Sequence, residues 1–512
     1  MKKIRLLSLC VAILLSVTNA FAQGGTTGPL TWSYADGTLT ITGTGAMPNY
    51  TASSPAPWNA YMSSITTVTL GSGVTHIGNR AFYNASNLNS TSLSNATTIG
   101  SYAFYYCSSL NSINLSNITS FGEGSFRGCS SLTSINISSA TSIGIEAFYN
   151  CTNIASLTIP SGVTTIGSSA FRNMTSLTTV NFNATNCTTM GTGNWPVFQG
   201  CTALVTLNIG NNVTRIPAQA FRGCDKINTV ITMPNVTTIG SYAFYYCSSI
   251  STVNLPSAVT NIGDYTFYYC SSLSSINLSN ITSFGEGSFR GCSSLTSINI
   301  SSATSIGIEA FYNCTNITSL TIPSGVTTIG SSAFRNMTSL TTVNFNATNC
   351  TTMGTGNWPV FQGCTALVTL NIGNNVTRIP AQAFRGCDKI NTVITMPNVT
   401  TIGSYAFYYC SSISTVNLPS AVTNIGDYTF YYCSSLSSIN LSNITSFGEG
   451  SFRGCSSLTS INISSATSIG IEAFYNCTNI TSLTIPSGVT TIGSSAFRNM
   501  TSLTTVNFNA TN

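Results

Sequence analysis

Charge is what this sequence has least of. Asp, Glu, Lys and Arg together make up 5% of its 512 residues, whereas hydrophobic side chains make up 42%. Disordered chains show the reverse balance, so a folded protein is expected. A formal net charge of +5 over this length cannot supply the dense cationic stripe that a nucleic-acid backbone requires. DNA and RNA are therefore excluded as partners. Histidine occurs once, at His76, so no His-based triad can recur along the chain. No two cysteines form a C-x-x-C pair, the close spacing from which zinc sites are built, and no metal or cofactor is implied. Solubility must rest on Ser, Thr, Asn and Gly.

Long apolar runs are also missing. The nearest candidate runs from Leu6 to Val17, after Lys2, Lys3 and Arg5 and before Ala20-Phe21-Ala22. It is too short for a stable membrane helix. The basic start, apolar centre and small-x-small ending are those of an export signal cut before Gln23. Cys10 comes too early in the apolar stretch to be a lipid-attachment site. Residues 1–22 are read as a signal peptide, with the remainder secreted or held on the outer cell surface. The signal takes three of the 16 basic residues and none of the 11 acidic ones, which leaves a mature charge of +2.

What the chain has in abundance is repetition. Phe82, Phe104, Phe126, Phe148, Phe171, Phe198 and Phe221 open a series of 19 that ends at Phe497. Its steps are 22 or 23 residues, except for 27-residue steps before Phe198 and Phe361. Length alone would suggest three or four globular domains of roughly 150 residues each. A fixed period carrying L-x-x-L-x-L points instead to a stacked leucine-rich-repeat solenoid. Within one unit, Leu132-x-x-Ile135-x-Ile137 alternates as a short half-buried strand must. Ile143-Gly144 turns the chain, Ala147-Phe148 fills the far wall and Cys151 closes the unit. No unit buries its apolar side alone, but stacked neighbours do. The expected fold is a β-rich, α+β repeat of about 19 units of 22–27 residues, with one parallel strand per unit on the concave side.

A longer period overlies this one. The string FGEGSFRGCSSLTSINISSATSIG begins at Phe121, Phe284 and Phe447, an offset of 163 residues or seven units. An active site is normally one asymmetric constellation, so a duplicated block weighs against an enzyme. Residues 30–42, LTWSYADGTLTIT, alternate on both sides of Asp36-Gly37, a strong hairpin signal. Residues 23–62 are read as an N-terminal β-hairpin cap on a solenoid spanning 63–512. Asn512 corresponds to Asn186 and Asn349 in mid-unit, so the chain is expected to end within a repeat.

The unit Ile154-x-x-Leu157-x-Ile159-Pro160-x-x-Val163-x-x-Ile166-Gly167-x-x-Ala170-Phe171 resembles the BspA-like, or Treponema-type, leucine-rich repeat. LTWSYADGTLTITGTGAMPNY, followed by Ala56-Pro57-Trp58, is similar to the segment that opens many bacterial surface proteins of this kind. The resemblance implies surface exposure and attachment to host matrix proteins, plasma proteins or other cells. It brings no catalytic or ligand-binding motif. Met174, Met337 and Met500 depart from it by replacing the cysteine, as do Thr91 and Thr232 at apolar strand positions.

Most of the 18 cysteines lie three residues after the repeat phenylalanine, where Ala85 and Met174 also occur. Buried free thiols are expected there rather than a disulfide ladder. Glu123, Glu146 and Asp264 are read as solvated acids. Between the apolar strand positions, Ser112, Asn114, Ser134, Asn136, Asn254, Ser275, Asn277, Ser297 and Asn299 recur on the outward, concave face. They form either a hydrogen-bonding recognition surface or a merely solvated sheet. Trp195 and Trp358 lie in the 27-residue units, where each is expected to plug the irregularity its insertion creates or else to stand as an exposed anchor. Tyr105, Tyr106, Tyr245, Tyr246, Tyr268 and Tyr269 alternate with Arg127, Arg172 and Arg222 on the opposite wall. The function implied is an adhesin-like binding protein for an extracellular protein or glycan; the alternative is a structural spacer with no ligand of its own.

Overall fold

The computed structural model describes residues 23–93, 95–192, 195–355 and 358–510. The chain is a β-solenoid of about 19 turns. Its contacts divide into two compact units, 1–227 and 228–512.

In the first unit the strands Gln23–Thr27, Leu30–Ala35 and Thr38–Gly43 pair antiparallel. Leu30, Leu39 and Ile41 point inward and are buried. Thr38–Gly43 then pairs in parallel with Thr67–Leu70, which converts the hairpins into the first rung of a ladder. Further rungs are Ser90–Ser92 and Ser112–Ile113, and, as a separate sheet, Ser156–Ile159, Thr179–Phe182 and Thr206–Ile209. Each residue pairs with its equivalent one turn later, as Leu157 does with Val180 and Val180 with Leu207. This register keeps every apolar side chain on the core face.

Two expectations need correction. Most turns carry two strands, not one. A second parallel ladder runs through Val74–Ile77, Thr98–Ile99, Ser120–Phe121, Ser142–Ile143, Thr165–Ile166 and Thr189–Met190. Its equivalent in the second unit includes Asn261–Ile262, Ser283–Phe284, Ser305–Ile306 and Thr328–Ile329. The threonines beside it extend the pairing: Thr119 Oγ1 donates to Thr97 O at 3.1 Å, and Thr141 Oγ1 to Thr119 O at 3.0 Å. The other correction falls on Leu132–Ile137, which forms no strand, and neither do its copies at 295–300 and 458–463.

The far wall is turn rather than helix; the single helical element among the described residues is the 3-10 segment Asn59–Ser64. Amides of Tyr102, Phe104 and Tyr106 donate to the carbonyls of Glu123, Ser125 and Arg127 one turn on. The repeat phenylalanines stack inside this wall: Phe82, Phe104, Phe126 and Phe148 have successive ring centroids 5.0, 5.0 and 5.3 Å apart. Each is fully buried, and burial of that kind contributes about 1.5–3 kcal/mol per side chain. Cys129 donates its thiol to Phe104 O at 3.1 Å, and Cys151 to Phe126 O at 3.3 Å. The thiol therefore both fills space and bonds a buried carbonyl of the preceding turn. All 17 described cysteines are free and buried.

Gly144 was expected to serve a turn. Its backbone is not left-handed, yet a Cβ there would come within 2.6–2.8 Å of the Gly122 and Glu123 backbone. The glycine permits close stacking of successive turns. Gly128 does have a left-handed φ of 78°, and the Tyr106 ring lies 3.0 Å from where its Cβ would be.

Candidate functional site

The nine polar residues singled out on the strand face are all exposed, but they differ in what they do. Asn254 Nδ2 reaches Thr232 Oγ1 of the neighbouring rung at 3.3 Å. Asn181 and Asn208 behave alike: Asn208 Nδ2 donates to Asn181 Oδ1 at 2.8 Å, and Asn181 Nδ2 to Thr158 Oγ1 at 3.3 Å. Asn114, Asn136, Asn277 and Asn299 instead fold onto their own backbone. Their Oδ1 atoms accept from the amides of Ser116, Ser138, Ser279 and Ser301 at 3.1–3.2 Å.

That local bond competes with the ladder. At Asn136 it coincides with a gap between the rung Ser112–Ile113 and the rung Ser156–Ile159. Ile135 is half-exposed there, while Leu157, Val180 and Leu207 at the equivalent position are buried. A groove of about 420 Å³ fills the gap, with Ser134, Asn136 and Ser138 on one side and Ser156, Thr158 and Asn183 on the other. Ser297, Asn299, Ser301, Ser319, Thr321 and Asn346 line a second groove of about 550 Å³ in the other unit. The structure thus joins Ser134 to Asn136, and Ser297 to Asn299, in one depression each. Ser112, Asn114, Asn254, Ser275 and Asn277 line neither groove. Sequence reasoning missed Thr158 and Asn183. The asparagine two residues before a serine in I-N-I-S marks a local turn at Asn136 but does not point to Thr158 or Asn183.

The opposite wall is a column of aromatic rings and guanidinium groups at the position after the repeat phenylalanine. Tyr83 and Tyr105 stack at 4.7 Å. Arg127 lies 5.6 Å from the Tyr105 centroid and 4.5 Å from that of Tyr149. Arg172 follows at 5.6 Å from Tyr149 and 5.1 Å from Trp195. In the second unit the order is Tyr268, Arg290, Tyr312, Arg335 and Trp358. Trp195 and Trp358 are each 56% exposed, which overturns the expectation that they plug the insertion. Val197 and Val360 fill it instead and are buried. Asn194 and Asn357 lie outside the described residues.

The three acids each have a partner. Glu146 pairs with Arg127, Glu123 accepts from the Tyr102 hydroxyl, and Asp264 Oδ1 accepts from the Glu286 amide at 2.9 Å. Among the described residues no cluster of His, Cys, Asp and Glu is arranged to hold a metal ion. His76 lies in the second ladder, paired in register with Thr98, with Nδ1 2.7 Å from Thr98 Oγ1. Burial lowers its pKa below the usual 6.5, against an opposing effect of the bond to Thr98. Its neutral form is therefore favoured by folding. Stability is fully present above pH 6.5 and declines as pH falls through the lowered value. Hydrogen exchange over residues 67–100 is expected to quicken between pH 7 and 5, and His76→Gln is expected to remove that acceleration. Equal acceleration in both proteins would assign it elsewhere.

Two ladders joined by a wall of stacked phenylalanines define the protein as a leucine-rich-repeat solenoid. The sequence profile of the BspA type leucine rich repeat region matches six times, over 59–178, 138–247, 194–307, 289–411, 357–468 and 467–512. The chain belongs to that family. Among solved structures it is similar to a leucine-rich repeat protein from Bacteroides ovatus, at 20% identity and TM-score 0.39, covering 94% of this chain and 99% of that one. A leucine rich cell surface protein from Faecalibacterium prausnitzii is 21% identical, with TM-score 0.24 and coverage of 81% and 93%. The T. pallidum leucine rich repeat protein is 21% identical, with TM-score 0.20 and coverage of 53% and 91%. No curated protein matches the chain. Among the described residues no helix is long and apolar enough to cross a membrane.

Proposed function

We propose that the chain is an exported, adhesin-like binding protein that attaches to an extracellular protein or glycan through repeated, individually weak sites. The observation that carries this reading is the groove, which recurs with ten equivalent lining residues 163 positions apart. Duplication of a whole site raises the number of simultaneous contacts without any new chemistry. The groove offers hydroxyls, amides and no charge, which suits a neutral hydrogen-bonding ligand. It lacks the aromatic and arginine anchors of tight interfaces, so each site is weak.

The test is surface-immobilised binding to a panel of matrix proteins, plasma proteins and glycans. Changing Ser134 and Asn136 to Lys is expected to weaken binding only a few-fold, because Ser297 and Asn299 remain. Changing all four is expected to weaken it about tenfold or more, as for linked sites on one ligand. Melting curves should move little, since all four side chains are exposed and the bonds lost, from Asn136 to the Ser138 amide and from Asn299 to the Ser301 amide, lie at the surface. A quadruple variant that binds like the parent would take recognition off this face, and silence across the panel would favour a spacer.

A further inference from the structure

Each 27-residue unit ends the Tyr/Arg column with a tryptophan, and the last arginine before it differs from its neighbour. Arg127 is neutralised by Glu146, and Arg290 by Glu309. Arg172 and Arg335 form no ion pair among the described residues; the buried Nε without a hydrogen-bond partner is common to all four, so the missing carboxylate is what distinguishes these two. Both guanidinium groups are clamped between rings: Arg172 between Tyr149 and Trp195, Arg335 between Tyr312 and Trp358. Clamping holds the charge in place without cancelling it. Beside it more than half of each indole stands in solvent. Val197 and Phe198 already fill the core of this turn, so beyond its contact with the guanidinium the exposed ring is not used in packing.

The surroundings narrow the ligand. Polar groups accompany the column on both sides of Arg172: Asn173 Nδ2, on the next residue, lies 3.4 Å from Tyr149 Oη, and Ser168 Oγ lies 3.2 Å from Thr192 Oγ1 of the inserted loop. An anchor for a protein partner is usually enclosed by a desolvating rim, and these neighbours are polar. A sugar ring fits both halves. Its C–H face packs on the indole, its hydroxyls meet the Ser, Thr and Asn groups, and an acidic substituent pairs with the guanidinium as carboxylates do. We propose that Tyr149-Arg172-Trp195 and Tyr312-Arg335-Trp358 are two equivalent sites for acidic saccharides. The assignment rests on the reading of the chain as a binding protein, but not on use of the groove.

The full chain is titrated with oligogalacturonate, which carries a carboxylate on every ring. Dextran serves as the neutral saccharide and polyglutamate as the acidic polymer without rings, with tryptophan emission as the readout. Of the other two tryptophans Trp58 is buried and Trp32 is half-buried against Trp58 and Tyr61, so the emission change is assigned to Trp195 and Trp358 by its loss in Trp195→Phe with Trp358→Phe. Oligogalacturonate should quench or shift the emission saturably, at two sites per chain and more weakly at high salt. The other two polymers should bind at least tenfold more weakly. Trp195→Ala is expected to halve the stoichiometry. Arg172→Gln with Arg335→Gln is expected to lower affinity at least tenfold, whereas Trp195→Phe with Trp358→Phe, followed by calorimetry, retains the sites. The groove variants at Ser134, Asn136, Ser297 and Asn299 should titrate like the parent. An equal response to polyglutamate or dextran overturns the proposal, as does no response to oligogalacturonate or full affinity in the double arginine variant. Loss of binding only in the groove variants would overturn this site while leaving the groove reading intact.

Discussion

Raising the pH from 9 to 10 is expected to lower the melting temperature of this protein steeply, and the cause is its thiols. Burial pushes Cys314 up to about 12 and raises Cys270 and Cys292 well above the usual thiol range, each bonded through sulfur to a phenylalanine carbonyl. In the unfolded chain a thiol ionises near pH 8.5. The folded group thus keeps its proton where the unfolded one has lost it. Its stabilising contribution is complete below about pH 8.5 and falls by about 1.4 kcal/mol per pH unit above that, until the folded pKa is reached. Three consecutive turns each carry one such group, so the loss is shared along the stack and adds where units unfold together. Tyrosines act in the same direction only higher up. Tyr102, raised to about 12 mainly by its bond to Glu123, begins to count above its ordinary value of 10. Between pH 9 and 10 the thiols dominate. Hydrogen exchange over residues 262–322 should accelerate with pH well beyond the intrinsic rate. In a variant with Cys270, Cys292 and Cys314 changed to Ala, the same segment should start less protected at pH 8 and lose little more by pH 10. Parallel pH dependence in the two proteins would refute the assignment. At neutral pH a reductant should leave the melting temperature unchanged.

How much of this was legible in the sequence depends on the length of the signal. The phenylalanine period and the cysteine three residues later are long, regular patterns, and they place the far wall correctly because its packing is the same in every turn. The second ladder was not visible. Its rungs, such as Ser142–Ile143, are two residues long, and period-two alternation cannot be recognised in so short a segment. The missing rung at Leu132–Ile137 was hidden for another reason. Its apolar spacing equals that of Ile154–Ile159, and the side-chain turn of Asn136 does not single it out either, because Asn114 makes the same turn beside the rung Ser112–Ile113. Ser134 and Asn136 could thus be named from the sequence, while the groove that joins them to Thr158 and Asn183 could not. Trp195 was misjudged because the smaller Val197 fills the inserted space, an outcome that composition alone does not decide.

Replacing Gly167 with Ala should disrupt the solenoid locally, whereas replacing Gly162, five residues earlier in the same unit, should not. Neither glycine has a left-handed backbone, so conformational freedom does not separate them. Space does. A Cβ on Gly167 would lie 2.3 Å from Ile145 N, 2.6 Å from Gly144 C and 2.7 Å from Ile145 Cα, all of them backbone atoms of the preceding turn. No flexible side chain can yield, and relief requires the turns to part at Thr165–Ile166, where they pair with Ser142–Ile143. Overpacking of this kind costs about 1–3 kcal/mol, with the upper end expected here because the obstacle is backbone on every side. A Cβ on Gly162 would meet Ala140 O at 3.3 Å and Thr141 Cγ2 at 3.9 Å, at an exposed position. A shift of a few tenths of an ångström accommodates it. Loss of freedom in the unfolded chain offsets what remains, so the net change should stay within about 0.5 kcal/mol. Hydrogen exchange over residues 140–171 reads both variants in the intact protein, because stability in a stack is local. Protection should collapse at Ile143, Ile166 and their neighbours in Gly167→Ala and persist in Gly162→Ala. Equal protection in the two would mean that the turns are not held together by backbone approach at this line of glycines, and the second ladder would lose its structural basis.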